Sequence, residues 1–246
     1  MTAKERSGLP GHGCSGAKGG PMIETGGTGR DPVMDAFERK AHWQRVYREK
    51  SPEEVSWYQP VPTPSLELVH RCGLSPDDPV IDVGGGTSTL ADHLLREGFT
   101  DVTVLDVSAA ALAAARRRLG NRADSVRWIE ADVTTFVAGR KYRLWHDRAL
   151  FHFLTDAVDR RRYLDALGTA LAPGGHLVLA AFAVGGPQRC SGLEIVQYDG
   201  PKLLSELGDR FRLIEQRRED HQTPAGSRQD FAWFHCVRGP ATAERS

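Results

Sequence analysis

Three carboxylates stand at the ends of apolar runs in the first half of the chain. Asp82 lies inside VIDVGGG, just ahead of Gly84, Gly85 and Gly86, Asp106 closes the run in VTVLDVS, and Asp132 sits in ADV. A carboxylate at the end of a buried strand can accept hydroxyl or amine hydrogens, and a glycine turn before a helix lets a bound molecule approach the backbone. A second group is the run His146, Asp147, Arg148 with His152 a few residues on, which offers imidazole, carboxylate and guanidinium together. Asp147 and Arg148 read either as an ion pair fixing their loop, or as acceptor contacts, Asp147 orienting an amine or thiol and Arg148 facing an acidic group. His152 reads either as a buried, hydrogen-bonded residue or as a base with an ordinary pKa of about 6.5. His146 is placed to close on a bound cofactor or on the acceptor.

Two large rings, Trp57 and Tyr58, occur in the proline-restricted segment EEVSWYQPVPTP, which is a poor helix former. They read as a surface clasp or as a lid over a ligand. Upstream, Trp43, Val46, Tyr47 and Lys50 recur at helical spacing and form one face. That face either packs on the main domain or brings Tyr47 or Lys50 to the rim of a pocket. Cys190 and His221 flank the last strands, with Arg189, Tyr198 and Gln229 as further contacts at the same mouth. A packing or substrate-loop role fits them better than a metal pair, because no third ligand is evident.

The elements that must position these residues alternate. Strands are expected at 79–83, 101–105, 125–130, 142–145 and 176–182, the last an apolar run without charge, as a central parallel strand requires. Helices are expected at 34–50, from a Ser65 cap to Cys72, at 87–97 with a Gly98 stop, from a Ser108 cap to Leu119, and at 156–171 closed by Pro173, Gly174 and Gly175. After a glycine-rich insertion at 184–197 and a short helix at 201–207, strands at 211–220 and 230–237 are joined too closely for a crossover, so they pair antiparallel. The expected fold is α/β: one doubly wound, seven-stranded mixed sheet with a C-terminal antiparallel hairpin. Residues 1–30 read as a disordered tail, 31–78 as a cap helix, lid segment and lead-in helix, 79–238 as the core, and 239–246 as a tail.

The 246 residues, 40% hydrophobic and 26% charged, suit one domain with a full core. Lys and Arg total 32 and Asp and Glu 32, so no basic excess points to a nucleic-acid partner. Four scattered cysteines, without a CxxC pair, read as free thiols in a reducing compartment. No run reaches membrane-spanning length and residues 1–30 have no apolar core, so a cytoplasmic location is expected. His12 and Cys14 in that stretch are too few to close a metal site.

A dinucleotide fold asks for glycine or alanine three residues beyond Gly86, where this chain has Thr89, and the P-loop is excluded because no GK[ST] follows. Asp82, a carboxylate in an apolar strand, needs cationic or hydrogen-bonding partners. A cofactor with an ammonium group and a positive sulfonium supplies them.

VIDVGGG, VTVLDVS, ADV, the PGG turn and the antiparallel end of the sheet, in that order, resemble the class I S-adenosylmethionine-dependent methyltransferases. The Rossmann-like methyltransferase fold follows from the resemblance, with S-adenosylmethionine as cofactor and no metal. The resemblance also implies a site: Gly84 and Gly86 beside the methionine part, with Thr87 next to them and Asp82 organising that end. Asp106 would take both ribose hydroxyls with Val107 alongside, Asp132 and Val133 would hold the adenine, and His146 would border the cofactor. Trp57, Tyr58, Asp147, Arg148 and His152 are left for the acceptor. WQRVYREKSPEEVSWYQ, WHDRALFHFL, CSGL and HQTPAGSRQDF are similar to a subgroup that includes the mitochondrial citrate synthase lysine methyltransferase and related bacterial proteins. The expected activity is therefore methyl transfer to an amine such as a protein lysine, with a small thiol or other soft nucleophile as the alternative acceptor. A non-catalytic cofactor-binding module is the third reading. The partner is a protein or small-molecule acceptor, with no nucleic acid and no membrane.

Overall fold

The structure, a computed structural model, describes residues 34–240. The expected tail at 1–30, with His12 and Cys14, and residues 241–246 lie outside the described residues.

Nine strands and six α-helices follow in chain order. They are α1 (Ala36–Glu49), α2 (Thr63–Arg71), β1 (Val80–Val83), α3 (Leu90–Arg96), β2 (Val102–Asp106), α4 (Ala109–Leu119), β3 (Val126–Glu130), β4 (Tyr142–Arg148), α5 (Ala157–Ala170), β5 (Leu171–Phe182), β6 (Arg189–Cys190), β7 (Leu193–Glu194), α6 (Gly200–Leu207), β8 (Phe211–Gln222) and β9 (Arg228–Arg238). Seven strands form one mixed sheet in the order β3-β2-β1-β4-β5-β9-β8, parallel up to β5 and antiparallel after it; β6 and β7 form a separate small hairpin inside the glycine-rich insertion. Strand order reverses between β1 and β4, so the crevice at their carboxyl ends is the place where open α/β sheets bind ligands.

Alternation along the strands sorts the core into two layers. Ile81, Val83, Trp145, Leu177 and Leu179 face α5 and α6, where they meet Tyr163, Leu167 and Leu203. Val80, Leu144, Val178 and Ala180 face the other way, onto Leu68 and Val69 of α2, Leu90 and Leu94 of α3 and Leu112 of α4. β1 and β2 are buried throughout, as strands covered on both faces are.

Local chemistry sets the ends of these elements. Asp35 caps α1 through a capping box with Glu38, and the Ser108 hydroxyl accepts from Ala111 N at 3.2 Å to start α4. The expected helix at 87–97 begins later, at Leu90, because left-handed Gly84 (φ +69°) and Gly86 (φ +48°) keep the preceding turn open. Ser65 does not cap α2; it lies inside the helix, which starts at Thr63, and its side chain is buried against the sheet. Tyr142 pairs with Leu171 and Leu144 with His176, so residues 172–175, including the PGG turn, bulge out of a strand that begins five residues earlier than expected.

The most consequential difference is the length of β4. It continues to Arg148, with Asp147 registered between Val83 and Leu179, so His146, Asp147 and Arg148 belong to a strand rather than to the loop after it. No helix among the described residues is long and apolar enough to cross a membrane.

Candidate active site

The glycine turn and Asp82 form the floor of one end. Asp82 is 2% exposed and its Oδ1 accepts from His146 Nδ1 at 2.7 Å. The other ring nitrogen, Nε2, is hydrogen-bonded to the Ser65 hydroxyl at 2.9 Å. This chain explains why a serine points inward from α2. Asp82 Oδ2 is buried without a partner. A Cβ on Gly85 would stand 2.7 Å from that oxygen, and one on Gly84 2.6 Å from Leu150 Cδ1. Thr89 donates its hydroxyl to Gln59 O at 2.9 Å, which ties the start of α3 to the lid segment. That bond is the use made of a residue where a dinucleotide fold has a small one.

Further along the crevice, Asp106 Oδ1 accepts from Ser108 N at 2.7 Å. Burial, helped by the nearby Asp82 charge, pushes Asp106 up to about 7 against the pull of the Ser108 and Gly86 amides. A Cβ on Gly86 would lie 2.7 Å from Tyr47 Oη and 3.1 Å from Asp106 Oδ2, so the bare backbone, the tyrosine and the carboxylate share one small space. Asp132 accepts at Oδ1 from Thr134 N and Oγ1 (2.8 and 2.7 Å) and at Oδ2 from Arg39 Nε at 3.0 Å. Arg39 also reaches Asp159 on α5 at 2.6 Å, so one cation of α1 bolts that helix across the mouth of the site.

Above this floor lies an aromatic wall. Trp43 packs on Phe153, Trp57 and Tyr47 with ring centres 4.9, 5.8 and 6.3 Å apart. The cleft these rings enclose holds about 700 Å³ together with the solvent at its mouth, and Gly84, Asp106, Val107, Asp132, Val133 and Arg148 complete its lining. A second, smaller cleft continues from it past Trp57, Gly84 and Arg148 to Tyr58, Asp82 and Thr87. The lid segment is both clasp and cover. Its backbone is pinned where Trp57 O accepts from Arg148 Nη1 at 2.6 Å and Ser56 O from His221 Nε2 at 2.7 Å, while its rings face the clefts.

Arg148 stands where the clefts meet. Its Nη1 is used by Trp57, its guanidinium lies 5.1 Å over the Phe231 ring, and Nε and Nη2 are buried without partners. No carboxylate among the described residues lies within ion-pair distance of it. Burial lowers its pKa to about 10, with Glu219 and Asp82 pulling the other way.

Several residues of the expected site are elsewhere. Asp147 and Arg148 do not form an ion pair, because neighbours on a strand point to opposite faces. Asp147 turns toward α5, where Oδ1 accepts from Leu150 N and Phe151 N (2.9 and 3.3 Å) and Oδ2 from Tyr163 Oη at 2.7 Å. It holds the turn after β4, and burial raises it to about 6 against those three donors. His152 Nδ1 accepts from Phe182 N at 3.2 Å, so its lone pair is committed and the proton sits on Nε2. Burial first, then Arg148, lower its pKa to about 3, and the ring packs in the core with its lone pair already engaged. His146 lies beneath Asp82 and lines neither cleft. Cys190, His221 and Gln229 do converge, but behind the lid on Ser56: the Cys190 thiol interacts with its side chain, and Gln229 Nε2 donates to its hydroxyl at 3.3 Å. Arg189 donates to Gly192 O within its own hairpin at 2.6 Å, Tyr198 stacks under Phe151 with ring centres 5.2 Å apart, and Lys50 is exposed at the end of α1. Arg39 and Phe153 are cleft residues that the sequence reading did not single out, and Trp43, read as part of the face of α1, lines the cleft with Tyr47. Arg39, Trp43 and Tyr47 share a four-residue spacing, and that stripe was the available signal.

Residues 80–175 match the family model described as a methyltransferase domain. Nodulation protein S of Rhizobium tropici is 33% identical over 98 residues, which are 40% of this chain and 39% of that protein. The eEF1A lysine and N-terminal methyltransferase of Danio rerio is 25% identical over 156 residues, 61% of this chain but 22% of that protein. The chain thus spans well under half the length of these two relatives. Among solved structures, the N-methyltransferase NodS of Bradyrhizobium japonicum WM9 in complex with S-adenosyl-L-homocysteine superposes with a TM-score of 0.61 at 17% identity, covering 79% of this chain and 97% of that one. The sheet order and the glycine turn agree with these similarities: residues 80–175 match a methyltransferase domain, and the fold is that of class I S-adenosylmethionine-dependent methyltransferases.

Proposed function

We propose that this protein transfers a methyl group from S-adenosylmethionine to an amine of a small acceptor that has an apolar body and an anionic group. The observation that carries the reading is one continuous path, from the unpartnered Asp82 Oδ2 past the glycine turn and Asp106 to four aromatic rings and the unpaired Arg148. Bound there, S-adenosylmethionine supplies a methyl group on a positively charged sulfur.

The residues present fit that molecule. Asp82 Oδ2 has its lone pairs free for an ammonium group, and His146 with Ser65 holds the carboxylate in place. Gly84 and Gly86 leave room for a ligand to lie on the backbone, with Thr87 beside them. Asp106, held by the Ser108 amide at Oδ1 with the Gly86 amide beside it, accepts from paired hydroxyls, and Val107 packs alongside. Asp132 and Val133 offer an acceptor and an apolar edge to a flat ring. Tyr47, Trp43, Trp57 and Phe153 present π faces, which favour a cationic centre.

The acceptor end has a definite chemistry. Asp147 and His152 are both committed within the core, and the carboxylates of the clefts serve the donor or Arg39, so among the described residues no side chain is left over for the acceptor's proton and the acceptor amine enters as the free base. The chain's contribution is then alignment and exclusion of water, which are large terms in a displacement between two held groups. Arg148 opposes an ammonium ion and pairs with an anion through Nε and Nη2. The two carboxylates of the larger cleft are each claimed, Asp106 for hydroxyls and Asp132 by Arg39. That distribution supports a small anionic amine over the side chain of a protein lysine, the acceptor that kinship with the citrate synthase lysine methyltransferase subgroup would bring.

The test is methyl-labelled S-adenosylmethionine with the full chain, offered separately aromatic amines bearing a carboxylate, small thiols, and lysate protein. Label is expected in the amine fraction. Label confined to protein or to thiols would overturn the acceptor class, and no transfer to any of them would overturn the activity. Arg148→Gln should raise KM for the anionic amine at least about tenfold, the scale of one charge-assisted hydrogen bond, with donor affinity within about threefold. A loss confined to donor affinity would move Arg148 to the donor's end.

A further inference from the structure

On the sheet face under α2, away from both clefts, Cys72, His176 and His235 bring three ligand atoms within 4.8 Å of one another. They come from three separate elements: Cys72 from the C-terminus of α2, His176 from β5 and His235 from β9. His235 lies opposite Val178, so His176 is its diagonal neighbour on the same face, and α2 lowers the thiol onto the pair. His235 Nε2 is the common vertex, 2.9 Å from His176 Nδ1 and 3.5 Å from Cys72 Sγ. Nothing in the proposed methyl transfer uses these residues.

We infer that Cys72, His176 and His235 form a binding site for a borderline-to-soft divalent cation, Zn²⁺ in the first instance, with His176 on its open side. A tetrahedral zinc ion with bonds of about 2.3 Å to sulfur and 2.0–2.1 Å to nitrogen places sulfur and nitrogen about 3.6 Å apart and two nitrogens about 3.3 Å apart. The spacing of Cys72 Sγ to His235 Nε2 is already that of a shared ion, the imidazoles need to part by only a few tenths of an ångström, and the Cys72 sulfur lies within 4.8 Å of the His176 nitrogen, which the partly exposed ring can close by turning. One thiolate with two imidazoles is a donor set suited to zinc and poorly suited to calcium or magnesium, which take oxygen. The second nitrogen of His235 is buried without a hydrogen-bond partner, so no neighbour fixes the proton on either side of that ring. It is free to carry its hydrogen on Nδ1 and present the Nε2 lone pair.

Cys72 and His235 are buried while His176 is partly exposed, so the fourth coordination position faces solvent and takes water. Binding forms three metal–ligand bonds. The Cys72 thiol releases its proton to solvent, and both imidazoles bind neutral, the hydrogens on His235 Nδ1 and His176 Nε2. The ion would fasten the end of α2 to two strands of the sheet. α2 carries Ser65 and follows the lid segment, so the fastening bears on the element that holds His146 and Asp82.

The test uses the full chain, stripped with a chelator and titrated with Co²⁺ as a spectroscopic stand-in, then with Zn²⁺. Expected are one Co²⁺ per chain, a thiolate-to-cobalt charge-transfer band, the visible bands of a tetrahedral ion, displacement by Zn²⁺, and a rise in Tm with Zn²⁺. Cys72→Ser, and separately the partly exposed His176→Ala, should each weaken binding by at least about 100-fold, the upper end of losses seen even for outer-shell partners. Cys14→Ser should leave every signal in place. Far-UV circular dichroism keeps loss of fold distinct from loss of a ligand. Absence of a thiolate band in the unsubstituted chain, or a band that survives both Cys72→Ser and His176→Ala, or one abolished by Cys14→Ser, would overturn the site.

Discussion

The proposed role of Asp106 as hydroxyl acceptor makes the affinity for the methyl donor depend on pH in a calculable way. The carboxyl is fully enclosed, has one amide partner at Oδ1, and sits at about 7 rather than 3.8 because burial disfavours its charge. Two hydroxyls donating one to each oxygen are matched by the ionised form and opposed by a carboxyl that carries its own hydrogen, so binding draws off the proton wherever the free protein still holds it. Below about pH 7 the dissociation constant should therefore rise about tenfold per unit, about 1.4 kcal/mol each, giving about 100-fold at pH 5. The sign for folding is the opposite. A carboxyl raised in the folded state binds more protons there than in the unfolded chain, so the donor-free protein should lose stability as pH rises from about 4 to about 7 and level off above it. The assay is calorimetric affinity for S-adenosylhomocysteine between pH 5 and 8.5, with Asp106→Asn measured in parallel. The difference removes titration of the ligand itself and of other residues. The asparagine variant should bind weakly at every pH and lack the Asp106 slope. A wild-type profile parallel to that of Asp106→Asn, or one whose excess slope appears only near pH 4, would refute the assignment of Asp106 as the buried hydroxyl acceptor.

Two further substitutions separate the cradle from its support. Gly86→Ala puts a methyl group 2.7 Å from Tyr47 Oη at a residue with φ of +48°. It should cost about 1–2 kcal/mol in urea denaturation from the left-handed backbone alone and lower donor affinity further by displacing Tyr47 or Asp106. Tyr163→Phe removes the hydroxyl that accepts from Trp145 Nε1 at 2.9 Å and donates to Asp147 Oδ2 at 2.7 Å. With two buried polar atoms left unpaired it should destabilise by about 2–4 kcal/mol, more above pH 6 where Asp147 is charged, while donor affinity stays within about twofold. A large loss of donor affinity without destabilisation would place Asp147 at the donor's end of the cleft and not in the core.

The framework was legible because it rests on local rules. Apolar runs of strand length, glycines after the first of them, the Ser108 cap, and a final pair of strands too close for a crossover specify five parallel strands and a hairpin. Asp82 was also readable: a carboxylate inside an apolar strand is costly unless something occupies it. The segment with Trp57 and Tyr58 stood out for the same kind of reason, since two large rings in a proline-rich stretch need something to lie against.

The roles of the polar residues after Trp145 were decided by tertiary structure. Pairing with β1 and β5 carries β4 on to Arg148, and the two-residue period then sends Asp147 into the α5 layer and Arg148 into the cleft. No local signal distinguishes a strand that stops at Trp145 from one that continues, because the energy that extends it comes from partners far away in the chain. The same holds for Ser65, whose bond to His146 spans 81 positions, and for Arg39, whose bond to Asp132 spans 93. Residue type and spacing alone determined that a glycine turn and three strand-end carboxylates stand along one edge of the sheet, where the clefts lie. Only the packed sheet decided which charges face them, because burial and pairing across the fold, and not position in sequence, set where a polar group points.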